Sequence, residues 1–70
     1  MDIFVNRLVE LRKNNNYKQT DVAEASKVSY RQYQSYEAGK AEPKLTTLIA
    51  LADFFDVSLD YLVGRSDKKN

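Results

Sequence analysis

The sequence predicts an all-α domain of five helices and no strand. Three observations predict it. Apolar residues recur at helical spacing in the opening and closing stretches; serine, glycine and asparagine stand where such helices would start or stop; and Tyr17 to Pro43 holds two short helices around a tight turn. That last layout is the helix-turn-helix motif.

The first helix is expected from about Asp2 to Asn14, with Phe4, Leu8 and Leu11 on one stripe, and the Asn14-Asn15-Asn16 run breaks it. Asn16 suits a positive φ there, since asparagine tolerates the left-handed region better than most residues. In the second helix, Val22, Ala23 and Ser26 fall on one side. Ala23 has no bulk and allows close approach of the next helix, while Asp21 and Glu24 stay in water. Ser29 is placed to cap the third helix with Val28 packed beneath the turn, Gly39 stops it, and Pro43 prevents immediate continuation. The fourth runs from about Leu45 to Phe55, with Leu45, Leu48, Leu51, Ala52 and Phe55 expected to be buried. Ser58 caps a short fifth helix containing Leu59 and Leu62, and Gly64 ends it. The domain is thus placed at 1–64, and the polar, net-positive tail at 65–70 is expected to be a disordered end.

Turning by about 100° per residue divides the third helix into two faces. Tyr33, Tyr36 and the stem of Glu37 share one, which reads as core. Arg31, Gln34 and Ser35 share the other, with Tyr30 and Gln32 at its margins. This second face is rich in hydrogen-bonding groups and free of acid, which suits a helix laid in a DNA major groove. An ordinary solvated face would more often pair Glu with Lys at i and i+4.

Other classes are limited by composition. The chain has no cysteine and no histidine, which removes disulfides, most transition-metal sites and the usual catalytic dyads. No metal, cofactor or catalytic residue is expected, and no enzyme. The amphipathic, acid-containing start MDIFVNRLVELRK resembles neither a signal peptide nor a membrane span, so a cytoplasmic protein is expected. At 70 residues the core is small, and a second subunit would add stabilising area. Net charge is only +1, but its distribution is uneven: Met1 to Lys44 is net positive, whereas Asp53, Asp56 and Asp60 are uncompensated between Leu45 and Gly64. Such a field turns the motif toward phosphates and makes binding salt-sensitive.

From Arg7 to Gly64 the chain resembles the helix-turn-helix module of the Xre/Cro/phage-repressor family. The matching residues are Arg7-Leu8, Leu11-Arg12, Gln19, Ala23, Val28-Ser29, Tyr36-Glu37, Gly39-Lys40, Pro43 and Val57-Ser58-Leu59-Asp60. It departs from the family pattern at Lys27, where glycine is usual in the turn, and at Ser26 and Tyr33, which imply a repacked core.

The resemblance implies a compact, five-helix, lambda-repressor-like fold and a regulator, a repressor by family, that binds a double-stranded DNA operator of inverted repeats as a homodimer. Base contacts are implied for Tyr30, Arg31 and Ser35, with Gln32 and Gln34 flanking. Arg31 could grip a guanine with two bonds; Tyr30 could meet a thymine methyl or a phosphate, or instead cover the helix seam. Phosphate contacts are implied for Lys18, Gln19, Thr20, Ser29, Lys40 and Lys44, with Gln19 also bracing the third helix. Arg12 and Glu37 match a structural ion pair between the first and third helices. Dimer contacts fall on Ile49, Phe54, Tyr61 and Val63. The alternative is a protein-interaction module, antitoxin-like or antirepressor-like, working through the last two helices.

Overall fold

All five helices are stopped, and the second, third and fifth are also started, by residues that satisfy open backbone groups. The computed structural model describes residues 2–70, and five helices account for them: α1 (Asp2–Asn14), α2 (Gln19–Ala25), α3 (Tyr30–Glu37), α4 (Leu45–Phe55) and α5 (Leu59–Val63). Among the described residues there is no strand. Ser29 Oγ accepts from the Gln32 amide and Ser58 Oγ from the Tyr61 amide, so both predicted serine caps form. α2 starts differently. Lys18 precedes it, and the Asp21 carboxylate reaches back to accept the Lys18 amide at 2.8 Å.

The five stops share one geometry. Just beyond each helix sits a residue with positive φ: Asn16, Lys27, Gly39, Asp56 and Gly64 in turn. The amide after each then reaches five residues back, as Tyr17 to Arg12, Val28 to Ala23, Lys40 to Ser35, Val57 to Ala52 and Arg65 to Asp60. This is the Schellman closure, repeated at every junction. Glycine fits it without strain, whereas Lys27 at φ 62° holds a side chain in a region that costs an L residue about 1 kcal/mol or more.

The core is assembled from the predicted stripes. Phe4, Leu8 and Leu11 of α1 meet Val22 and Ala23 of α2, Tyr33 and Tyr36 of α3, Leu51, Ala52 and Phe55 of α4, and Tyr61 and Leu62 of α5. α2 packs on α3 and α4, and α1 packs on α3 and α5. Ser26 is buried as expected, and its hydroxyl donates to the Val22 carbonyl at 2.8 Å, so the polar group is satisfied inside.

Two expectations for the second half are corrected. Leu45 is 62% exposed, and Leu48 is only half-buried. The core at that end is closed by the buried Pro43 and by Ala41 from the preceding loop, so the first turn of α4 projects past it. Tyr61, expected at a dimer surface, is instead buried in the monomer. Arg7 of α1 lies over its ring with the guanidinium carbon 4.1 Å from the centroid, and also donates to the Tyr61 carbonyl. The same guanidinium donates to the Ser66 carbonyl at 2.7 Å and pairs with the exposed Asp67 at 2.9 Å. Residues 65–70 form no helix, and their contacts are polar, among them the Ser58 amide donating to the Lys69 carbonyl.

The junctions give a stability test. Lys27→Gly relieves the left-handed side chain and is expected to raise the midpoint of thermal unfolding by a few degrees, from about 0.5–1 kcal/mol of net relief. Gly64→Ala should lower it: φ is +90° and the added Cβ would lie 2.8 Å from Ile3 Cγ2. Circular dichroism melts of the two variants check both signs.

Candidate nucleic-acid interface

The surface of interest is the outer face of α3, and its position is set by a carboxylate on the inner face. Glu37, at the end of α3, accepts Arg12 Nε at 2.6 Å and Arg12 Nη2 at 3.1 Å, the two-bond fork expected of an arginine and a carboxylate. It also accepts the Tyr33 hydroxyl one turn back and Gln19 Nε2 at 3.0 Å from the first residue of α2. Donors from α1, α2 and α3 thus converge on one side chain. The pair is largely withdrawn from water, with side-chain exposures of 14% for Arg12 and 8% for Glu37.

This burial has electrostatic consequences that can be ordered. Desolvation alone would push the Glu37 pKa up, but the hydrogen bonds from Arg12, Tyr33 and Gln19 and the charge of Arg12 outweigh it, and the pKa falls below the usual carboxylate value. Burial and the bond to Glu37 raise the Tyr33 phenol, and the bond to Glu37 raises Arg12. All three are therefore fixed at neutral pH: Glu37 ionised, Arg12 charged, Tyr33 a donor.

Outside this hub, α3 presents its other face to solvent. Arg31 and Gln34 are exposed and make no side-chain hydrogen bond to any described residue. Tyr30 is 47% exposed, with its hydroxyl 3.3 Å from Gln19 Oε1. Gln32 is exposed and its amide reaches the Tyr36 hydroxyl at 3.3 Å; Ser35 is half-buried and donates back to the Arg31 carbonyl at 3.2 Å. Glu37 is the only acid in α3, and its charge is matched by Arg12. Lys18, Thr20, Ser29, Lys40 and Lys44 are all exposed in or beside the loops that frame α2 and α3, and Gln19 is half-buried between them and the hub. Ser29 spends only an acceptor on its cap, so its proton stays available. The predicted contact residues are thus exposed or half-buried, whereas the side chains of Arg12 and Glu37 are largely withdrawn from water.

Sequence reasoning missed one contact inside the hub and one outside it. Tyr33 was read as core packing alone, although its i, i+4 relation to Glu37 was a usable signal for the bond its hydroxyl makes. Arg7 was noted only as part of a family pattern, and nothing local signals its stack on Tyr61.

Two short helices braced on a shared buried carboxylate, the second turning an acid-free polar face outward, define a helix-turn-helix module. A family model described as Helix-turn-helix matches residues 8–62. The chain belongs to this helix-turn-helix family, of the Xre/Cro/phage-repressor type.

It is similar to the HTH-type transcriptional regulator AnsR of Bacillus subtilis, 38% identical over 65 residues that cover 93% of this chain and 56% of the relative. It is also similar to the cryptic phage CTXphi transcriptional repressor RstR of Vibrio cholerae, 36% identical over 59 residues covering 84% of this chain and 53% of that protein. Among solved structures, a transcriptional regulator from Listeria innocua superposes with a TM-score of 0.82 at 36% identity, covering 87% of this chain and 57% of that one. The chain therefore spans a little over half the length of these relatives. Among the described residues no helix is long and apolar enough to cross a membrane.

The hub yields a pH prediction. Because the folded pKa of Glu37 lies below its ordinary 4.5, the stability it contributes is present above that value and is lost as pH falls from there through the folded pKa. Unfolding free energy should hold down to about pH 5 and then decline. Glu37→Gln should flatten that decline, and Arg12→Ala should cost about 3 kcal/mol at neutral pH by leaving a buried carboxylate unpaired. Urea unfolding of the three proteins across pH 3–7 measures both effects.

Proposed function

We propose that this chain is a sequence-specific, double-stranded-DNA-binding transcriptional regulator that acts in the cytoplasm as a repressor, binding an inverted-repeat operator as a dimer. The observation that carries this reading is the acid-free face of α3, held from behind by the Arg12–Glu37 hub. Groups that read bases must keep their donors and acceptors unspent while the backbone beneath them is rigid. Arg31 and Gln34 meet the first condition and the hub supplies the second.

In this reading Tyr30, Arg31, Gln32, Gln34 and Ser35 face base edges in the major groove. Arg31 has the reach and the fork to hold guanine O6 and N7. Lys18, Thr20, Ser29, Lys40 and Lys44 meet phosphates on either side, and the second amide proton of Gln19 adds another phosphate bond. Net charge is only +1, so affinity depends on a few well-placed contacts and on a second half-site. A dimer would draw on the exposed Ile49 with the half-buried Phe54 and Val63. Phe54 is already engaged with Tyr17, ring centroids 4.8 Å apart.

A second reading is favoured by one feature. Leu45 and Ile49 stand one turn apart on α4 and are 62% and 43% exposed, an apolar strip that the monomer does not use. A protein-interaction module working through α4 and α5 would use that strip, with DNA contact secondary.

Selection from a random duplex library at two salt concentrations, run with the wild-type chain and with Arg31→Ala, separates these readings. Enrichment of an inverted repeat with half-sites about one helical turn apart, relaxed by the substitution at one position, supports a dimeric reader with Arg31 on a base. Affinity for that repeat should fall steeply between the two salts. No enrichment at low salt sinks the DNA reading and puts the interaction module first.

A further inference from the structure

One hydrogen-bond chain on the α2–α3 surface has a fixed direction. It starts at Glu37, whose ionised carboxylate can only accept. Gln19 meets Glu37 Oε1 at 3.0 Å, so its amide must present nitrogen there; the flipped amide would set two acceptors against each other. With the nitrogen committed inward, Gln19 Oε1 is turned to the Tyr30 hydroxyl, 3.3 Å away. That carbonyl oxygen can only accept, so the single phenol proton of Tyr30 is spent on it. What Tyr30 turns to the solvent is its lone pairs.

Gln32 shows that this is not a general property of the face. Its amide meets the Tyr36 hydroxyl, which can give or take a proton, so either orientation of Gln32 is satisfied. Only the chain that begins at a carboxylate is locked.

Resting on the reading of α3 as the groove-facing helix, the geometry points to Tyr30 as a specificity-determining residue that accepts a hydrogen bond from an exocyclic amino group, N6 of adenine or N4 of cytosine. Guanine O6 and thymine O4 are acceptors and are rejected at the same point, and so are phosphate oxygens, which offer no proton. Each base pair carries one amino group and at least one carbonyl on its major-groove edge. An acceptor at a fixed place therefore distinguishes which strand carries the amino base without separating adenine from cytosine. The half-site is expected to contain one position that admits A or C and excludes G and T on the strand nearer Tyr30. Gln19 is a positioning residue: it sets the direction of the bond and need not touch the base.

The test adds two variants to the library selection, Tyr30→Phe and Gln19→Met. Wild type should recover a motif in which one position favours A or C over G or T by about 3- to 10-fold, the span of a single net hydrogen bond. Tyr30→Phe keeps the ring and should level that position while leaving the rest of the motif unchanged. Gln19→Met is close in shape but has no amide, so it frees the phenol proton, and G or T should then compete to within about 2-fold. Thermal melts of both variants show whether the fold is retained; if Gln19→Met does not fold, Tyr30→Phe decides alone, since its side chain is half exposed. A wild-type motif that Tyr30→Phe leaves intact at every position overturns the assignment while the DNA reading stands, and so does a levelled position that had favoured G or T. If wild type recovers no motif, the DNA reading itself fails and this assignment falls with it.

Discussion

Everything on the outer face of α3 depends on a carboxylate that faces inward. Glu37 is buried in a domain too small to bury a charge cheaply, and four hydrogen bonds from three side chains offset that cost. The arrangement is directional in a way that apolar contact is not. Leucine against leucine tolerates a few degrees of rotation, whereas an arginine fork, a phenol and an amide sharing one carboxylate do not. The angle of α3 against α1 and α2 is thereby set by chemistry instead of by area.

That division explains why the two faces of one eight-residue helix can be so different. The inner face is committed: Tyr33 and Tyr36 are buried, and Glu37 accepts four hydrogen bonds. The outer face is uncommitted at Arg31 and Gln34, and half-committed at Tyr30, Gln32 and Ser35, whose polar atoms each hold one internal bond. Internal hydrogen bonding and free polar groups are therefore found on different residues of adjacent turns. Elsewhere the acids are not excluded from the motif, since Asp21 and Glu24 lie on α2 and Glu42 between Lys40 and Lys44, but Asp53, Asp56 and Asp60 stand on or beside α4 and α5 with no base among residues 45–64.

Local chemistry was legible in the sequence, and long-range geometry was legible only through resemblance. Ser29, Ser58, Gly39 and Gly64 act within a few residues of themselves, and each does in the structure what its residue type demands. The Arg12–Glu37 pair was available only from the family pattern, because 25 positions separate the partners. Leu45 was misjudged because periodicity marks the apolar side of a helix but not how far along its axis the core extends; Pro43 and Ala41 end it one turn early. Tyr61 was misjudged because its cover comes from Arg7, 54 positions away, and a cation resting on a ring leaves no trace in apolar spacing. The direction of the Glu37–Gln19–Tyr30 chain belongs to the same class: it exists only once three side chains meet.

The contact between Gly64 and Ile3 bears on the topology of the molecule. The beginning of α1 and the end of α5 lie against each other, close enough that one added methyl group would collide. The helices therefore form a nearly closed circuit, and the order in which the polypeptide visits them is separable from the shape they make. A short peptide bridging the two ends would convert the chain into a ring, and a ring can be opened elsewhere. The exposed stretch around Lys40 and Glu42 offers one such opening, between the module that carries the polar face and the two helices that carry the acidic one. A permuted chain cut there would begin with α4 and finish with α3, and the carboxylate hub would then sit beside a new terminus with all of its donors still in place.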